Sequence, residues 1–152
     1  MKIKVDNRSI KIRSSSWDDY DYCYCLTKKN MQSFYIKHNL EWKAKAYRRN
    51  FTPKYIKILE YNKRRVGFYK LTFKEDCWYL ADLQISWLLR GKGIGTKILW
   101  IIETIVKKEW HNKIELKVFF DNLAVNLYKR LGYSILEKES ERFLMVKYIL
   151  KK

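Results

Sequence analysis

Three of the five glycines in this 152-residue chain fall within five positions, in Arg90-Gly91-Lys92-Gly93-Ile94-Gly95-Thr96. Upstream, Trp78 to Trp87 alternates like a strand; downstream, Ile94, Ile98, Ile101, Ile102, Ile105 and Val106 recur at helical spacing. The phrase is therefore a tight junction between a strand and a helix. Glycines there let the backbone curl so that several N–H groups point into one concavity at the helix N-terminus, a nest suited to phosphate. Arg90 and Lys92 add full positive charges to that partial one.

Two nucleotide-binding loops fail on spacing. A P-loop needs four residues between its first Gly and a Gly-Lys pair, with Ser or Thr after the Lys, and Gly91-Lys92-Gly93 does not provide it. A dinucleotide-binding fold places its glycine turn early, after the first strand of a parallel unit. Here the turn lies past the middle of the chain, behind an antiparallel meander. That meander reads as Tyr55 to Tyr61, the turn Asn62-Lys63-Arg64, Val66 to Phe73, the turn Lys74-Glu75-Asp76, and Trp78 to Trp87, with Asp82, Gln84 and Ser86 on one face of the last strand.

Before Pro53, the only proline, Ile10 to Arg13 alternates, and Ser14-Ser15-Ser16 followed by Trp17-Asp18-Asp19 is a helix start with acids in its first turn. Helical spacing then continues with interruption to Tyr47. After the helix of residues 94 to 108, Ile114 to Phe120 is a strand, Asn122 to Leu131 a short helix stopped by Gly132, and two more strands follow. The order is β-α-α-β-β-β-α-β-α-β-β. The expected fold is α/β of the α+β kind, a mixed and mostly antiparallel central sheet flanked by helices.

Apolar residues make up 47% and aromatics 16%, enough for a buried core, and the length suits one domain over residues 1–152. No apolar run approaches the roughly 20 residues of a membrane span. Met1 to Asp6 is charged from its second residue, unlike a secretory leader, so a cytoplasmic location is expected. Cys23, Cys25 and Cys77, with two histidines, form no zinc-like spacing, and no metal is expected. Lys and Arg number 33 against 16 acids, a net +17 that attracts anions and repels polycations. RNA or the ribosome is one partner class this charge admits; no RNA-reading motif accompanies it.

The element order and two motifs resemble the GNAT superfamily of acetyl-CoA-dependent N-acetyltransferases. Its pyrophosphate signature Arg/Gln-x-x-Gly-x-Gly/Ala is matched by Arg90, Gly93 and Gly95, and a second, Asn-x-Ala-x-x-Leu-Tyr-x-Arg-Leu-Gly-Phe, by Asn122 to Tyr133, with Tyr133 in place of Phe. The motifs cover about residues 79 to 133; outside them the likeness is one of architecture.

The resemblance implies acetyl-CoA as co-substrate. Its pyrophosphate would lie on Arg90, Gly91, Lys92, Gly93, Ile94, Gly95 and Thr96, and its pantetheine arm would lie along the backbone of Leu83, Gln84 and Ile85, opposite Leu116 to Phe120, with a bond from Asn122. Tyr128 matches the position that commonly protonates the leaving thiolate, and a phenol keeps its proton at neutral pH. Asp82 is the candidate base, because relatives place acids near that strand position, whereas Lys117 stands where some have a glutamate. The implied activity is acetyl transfer to a primary amine of a small molecule or peptide, in a monomer or homodimer. The alternative is a relative directed to aminoacyl-tRNA or a ribosomal target, or a non-catalytic nucleic-acid binder. Tyr35 and Trp42 could line an acceptor pocket, but aromatics at helical spacing more often belong to the core, and that is the expectation here.

Overall fold

The computed structural model describes residues 1–150. Its strands are β1 (Lys2–Val5), β2 (Arg8–Ser14), β3 (Ile56–Tyr61), β4 (Arg64–Lys74), β5 (Cys77–Ile85), β6 (Lys113–Phe119), β7 (Ser134–Lys138) and β8 (Arg142–Tyr148). The helices are α1 (Tyr20–Lys37), α2 (Ala44–Asn50), α3 (Ile94–Lys107) and α4 (Ala124–Arg130). The strands hydrogen-bond in the order β1-β2-β3-β4-β5-β6-β8-β7. All the paired registers are antiparallel except β5 with β6, whose parallel pairs run from Trp78–Ile114 to Leu80–Leu116. The helix of residues 94–107 supplies the crossover such a pair needs.

The expected order holds, with one strand added. β1 pairs with β2 from Lys2–Lys11 to Val5–Arg8. Its alternation of Lys with Ile3 and Val5 is too short to stand out in the sequence. Contacts group the chain into two compact units, residues 1–70 with 82–94, and residues 71–81 with 95–152.

In the first unit, Cys23, Phe51, Ile56, Ile58 and Phe68 form a buried cluster flanked by Tyr20, Tyr22, Leu26 and Tyr47. Phe68 therefore marks the helix-facing side of β4. Gly67, its neighbour, has a backbone reason: a Cβ there would stand 2.6 Å from the Gln84 carbonyl oxygen. Only glycine lets β4 come this close to β5. Ser16 caps the turn before α1 and Asp19 returns the bond to the Ser16 N–H, a reciprocal box. Asp19, one of the expected first-turn acids, is buried: its side chain is 3% exposed and held by Arg13 and Arg65. Tyr35 and Trp42 depart from the core reading. They are half-buried, with rings 5.1 Å apart, in an aromatic group with Tyr24 and Tyr47 instead of the core.

In the second unit, α3 buries Ile98, Leu99, Ile102 and Val106. Gly132, with φ of +94°, ends α4 in the left-handed conformation, and the Tyr133 N–H donates back to the Tyr128 carbonyl at 3.0 Å.

Candidate active site

The turn between β5 and α3 has the conformation the glycines suggested. Gly91 and Gly93 have φ of +71° and +79°, the left-handed region in which a Cβ is costly. A Cβ on Gly91 would meet nothing within 4 Å, and one on Gly93 only a Val5 methyl at 3.9 Å. The turn is thus an open cradle shaped by its backbone, and conformation, not crowding, demands glycine. Gly95 lies inside α3, which begins at Ile94, with Thr96 in its first turn. The first-turn N–H groups of a helix have no intrahelical acceptor and carry the positive end of its dipole. Arg90 and the half-buried Lys92 flank them. An open anion cradle with this donor set fits the diphosphate of a CoA thioester.

Along β5, Asp82 and Gln84 share a face, as alternation requires. The Gln84 amide nitrogen donates to Asp82 Oδ1 at 2.7 Å, and its oxygen accepts from Asn30 Nδ2 of α1 at 3.1 Å. Asn30 Nδ2 also approaches the Ile85 carbonyl at 3.3 Å, and Arg90 Nε reaches the same carbonyl at 3.4 Å. Asn30 thus ties α1 to the strand bearing the carboxylate. Sequence reasoning missed it, although Cys23, Thr27 and Asn30 lie on one helical face on which Cys23 and Thr27 are buried.

By exposed area Asp82 is only half-buried, but its carboxyl is closed in by protein, and this enclosure pushes its pKa up to about 6. The Gln84 amide, the charge of Lys70 and the Leu83 N–H oppose the rise without cancelling it. Such a group exchanges a proton near neutrality, as a general base must. On the same side, Tyr47 pairs with Thr27 Oγ1 at 3.4 Å, and burial holds its phenol well above the usual range.

In the second unit, Tyr128 is buried in α4, edge-on to Tyr133 with ring centroids 5.7 Å apart. Asn122, one residue before the N-cap of α4, uses its side-chain oxygen to accept from the Ala124 N–H at 2.9 Å, so its amide N–H groups remain to donate. Lys117 forms an ion pair with Glu139 at 2.8 Å. Among the described residues no cluster of His, Cys, Asp or Glu is arranged to hold a metal, and no helix is long and apolar enough to cross a membrane.

A glycine cradle opening a helix, behind a strand with a proton-exchanging carboxylate in a mostly antiparallel sheet, defines a fold class shared by known acyl-transferring proteins. The family model for the acetyltransferase (GNAT) family matches residues 12–133, and the chain belongs to that family. It is 34% identical over 89 residues to the thialysine N-epsilon-acetyltransferase of Mus musculus, a match covering 55% of this chain and 52% of that protein. The chain thus spans about half the length of that curated relative. Among solved structures, the PaiA N-acetyltransferase of Thermoplasma acidophilum in complex with coenzyme A superposes with a TM-score of 0.74 at 18% identity, over 91% of this chain and 98% of that one. The ribosomal-protein-S18-alanine N-acetyltransferase of Escherichia coli gives 0.71 at 18% identity, over 94% and 96%. These superpositions show the shared fold.

Proposed function

We propose that the protein transfers an acetyl group from acetyl-CoA to a primary amine of a small molecule or peptide. The observation that carries this reading is the Asn30–Gln84–Asp82 relay, which fixes a carboxylate whose pKa lies near neutrality. Acetyl-CoA supplies the acetyl group as an activated thioester. Arg90, Lys92 and the backbone of residues 91–96 hold its diphosphate, and the backbone of Leu83 to Ile85 and the Asn122 amide contribute to the rest of the binding.

An amine arrives as an ammonium and attacks only when neutral, so Asp82 first accepts its proton. The nitrogen forms a bond to the acetyl carbon as the carbon–sulfur bond breaks; Tyr128 gives its phenolic proton to the departing sulfur, and the second proton shed by the acylated nitrogen restores the phenol. Backbone N–H groups of residues 83–85 supply donors to the carbonyl oxygen as negative charge grows on it. Direct attack needs no acyl-enzyme, and none of the three cysteines belongs to this set.

The test is release of CoA thiol over a panel of primary amines, with acetyl-CoA binding read from thermal shift. Gly93→Asp and Gly93→Asn place side chains of similar size in the same left-handed conformation, which both tolerate better than most residues. The shift is expected to vanish in the aspartate variant, through added negative charge, and to survive in part in the asparagine variant. Equal shifts in the two variants and the wild type would remove the phosphates from this turn.

A further inference from the structure

Lys70 is a cation whose charge acts on Asp82. Ser86 N–H donates to the Val66 carbonyl at 2.8 Å, and Gly67 lies against Gln84 and Ile85. Following β4 and β5 antiparallel from that point brings Lys70 alongside Asp82. Both point to the helix side. Lys70 is two residues from Phe68 of the α1-facing cluster and its Nζ donates to the Asn50 carbonyl at the end of α2 at 2.7 Å, while Asp82 is tied through Gln84 to α1.

Lys70 and Asp82 feel each other's charge yet close no ion pair. One of the three ammonium N–H groups is used on Asn50, which leaves two donors. Partial burial disfavours the charged form of Lys70, so an anion beside it would recover what desolvation costs. A lysine beside the proton acceptor opposes any acceptor that is only cationic, and the +17 of the chain adds to that opposition. A zwitterion reverses the sign: its ammonium matches Asp82 and its carboxylate matches Lys70.

We propose that the acceptor is an amino acid, its reacting ammonium directed to Asp82 and its carboxylate held by Lys70. This rests on the reading of Asp82 as the proton acceptor and narrows the amine to one that carries a carboxylate. The aromatic group of Tyr24, Trp42 and Tyr47 beside α1 and α2 supplies apolar wall on the same unit.

The experiment compares amino acids with their decarboxylated counterparts: L-lysine with cadaverine and L-phenylalanine with phenethylamine, by thiol release. The expected result is a kcat/KM higher for each amino acid by on the order of tenfold, the worth of one charge-assisted bond. In Lys70→Met the amino-acid KM rises and both ratios fall toward one, and Lys70→Arg restores part of the preference. The variant lowers the net charge by only one, so general repulsion does not explain a collapse of the ratios. The wild-type ratios decide the matter even if a variant does not fold.

If the decarboxylated amines are acetylated as well as the amino acids, transfer to an amine stands and carboxylate recognition by Lys70 is overturned. If no amine is acetylated, the transfer reading fails. Calorimetric binding of L-lysine in the presence of CoA then decides this proposal: loss of binding in Lys70→Met supports it, and absent or unchanged binding overturns it.

Discussion

An aspartate in water, with a pKa near 3.9, is a weak acceptor for an amine proton; enclosure beside β4 and α1 moves Asp82 to about 6, where it is still ionised at neutral pH but more basic. Acetyl transfer is therefore expected to rise with pH through a limb near 6. Asp82→Asn removes that limb and lowers kcat by about 10² to 10⁴-fold, the range for a positioned acid or base. Tyr128→Phe lowers the rate as well but keeps both the limb and acetyl-CoA affinity, because the ring stays and only the donor goes. Parallel pH–rate profiles of the three proteins check this, and an unchanged limb in Asp82→Asn would remove the base from that position. The stability effect runs the other way. A carboxyl whose folded pKa is raised binds its proton more tightly in the native state, so its contribution is largest below about pH 4 and declines as pH rises through 6. Asp82→Asn should thus unfold no more easily than the wild type at pH 8, although it loses turnover.

Entry into α1 is fixed by charge as well as by its cap. Arg13 of β2 donates to both Asp19 carboxylate oxygens, at 2.8 and 2.9 Å, and also to Glu60 of β3, while Arg65 of β4 reaches Asp19 at 3.3 Å. Above all through Arg13, the Asp19 carboxyl is held down at about 2. A depressed carboxyl stabilises the fold above its unfolded pKa of about 3.9 and loses that contribution as pH falls toward 2. Asp19→Asn is therefore expected to cost on the order of 2 kcal/mol in urea unfolding at pH 7, with the difference from wild type shrinking below pH 4. The element signals explain what was readable beforehand. Glycine spacing announces the strand–turn–helix at 90–96 because the requirement is local to the backbone, and the serine before Trp17-Asp18-Asp19 announces α1 for the same reason. Asn30 and Lys70 were not legible. Each matters through a strand or helix distant in sequence, and a lone amide on a helix or a lysine in a basic chain carries no local mark. The position of Tyr128 is carried by the Asn122-to-Tyr133 motif, whereas the bond of the Asn122 side chain to the Ala124 N–H depends on geometry that a motif does not state.

At the scale of the molecule the +17 charge has to be set against specific contacts. Lys2 and Lys4 stand exposed on β1, at one border of the sheet, where lysines discourage strand addition by another chain. Such dispersed charge should bind single-stranded RNA in low salt and release it steeply, with log affinity falling by nearly one unit of slope per phosphate contacted. Filter binding across a salt series is expected to show weak affinity at physiological ionic strength while amine acetylation continues. Submicromolar RNA affinity there, with no turnover on any free amine, would replace the acetyl-acceptor reading by a nucleic-acid one. The first unit carries its own reporter of an opening motion. Cys23 and Cys25 lie two residues apart on α1, one wholly buried in the cluster with Phe68, its thiol pushed up to about 12 by that burial, the other exposed. A small alkylating reagent should modify Cys25 at once and Cys23 only in the fraction of molecules whose first helix has lifted from the sheet. With Cys77, the third free thiol, replaced by serine, the ratio of singly to doubly modified chains, read by mass over time, is then a clock for that lifting, and a ligand that closes the helix onto β5 should slow it.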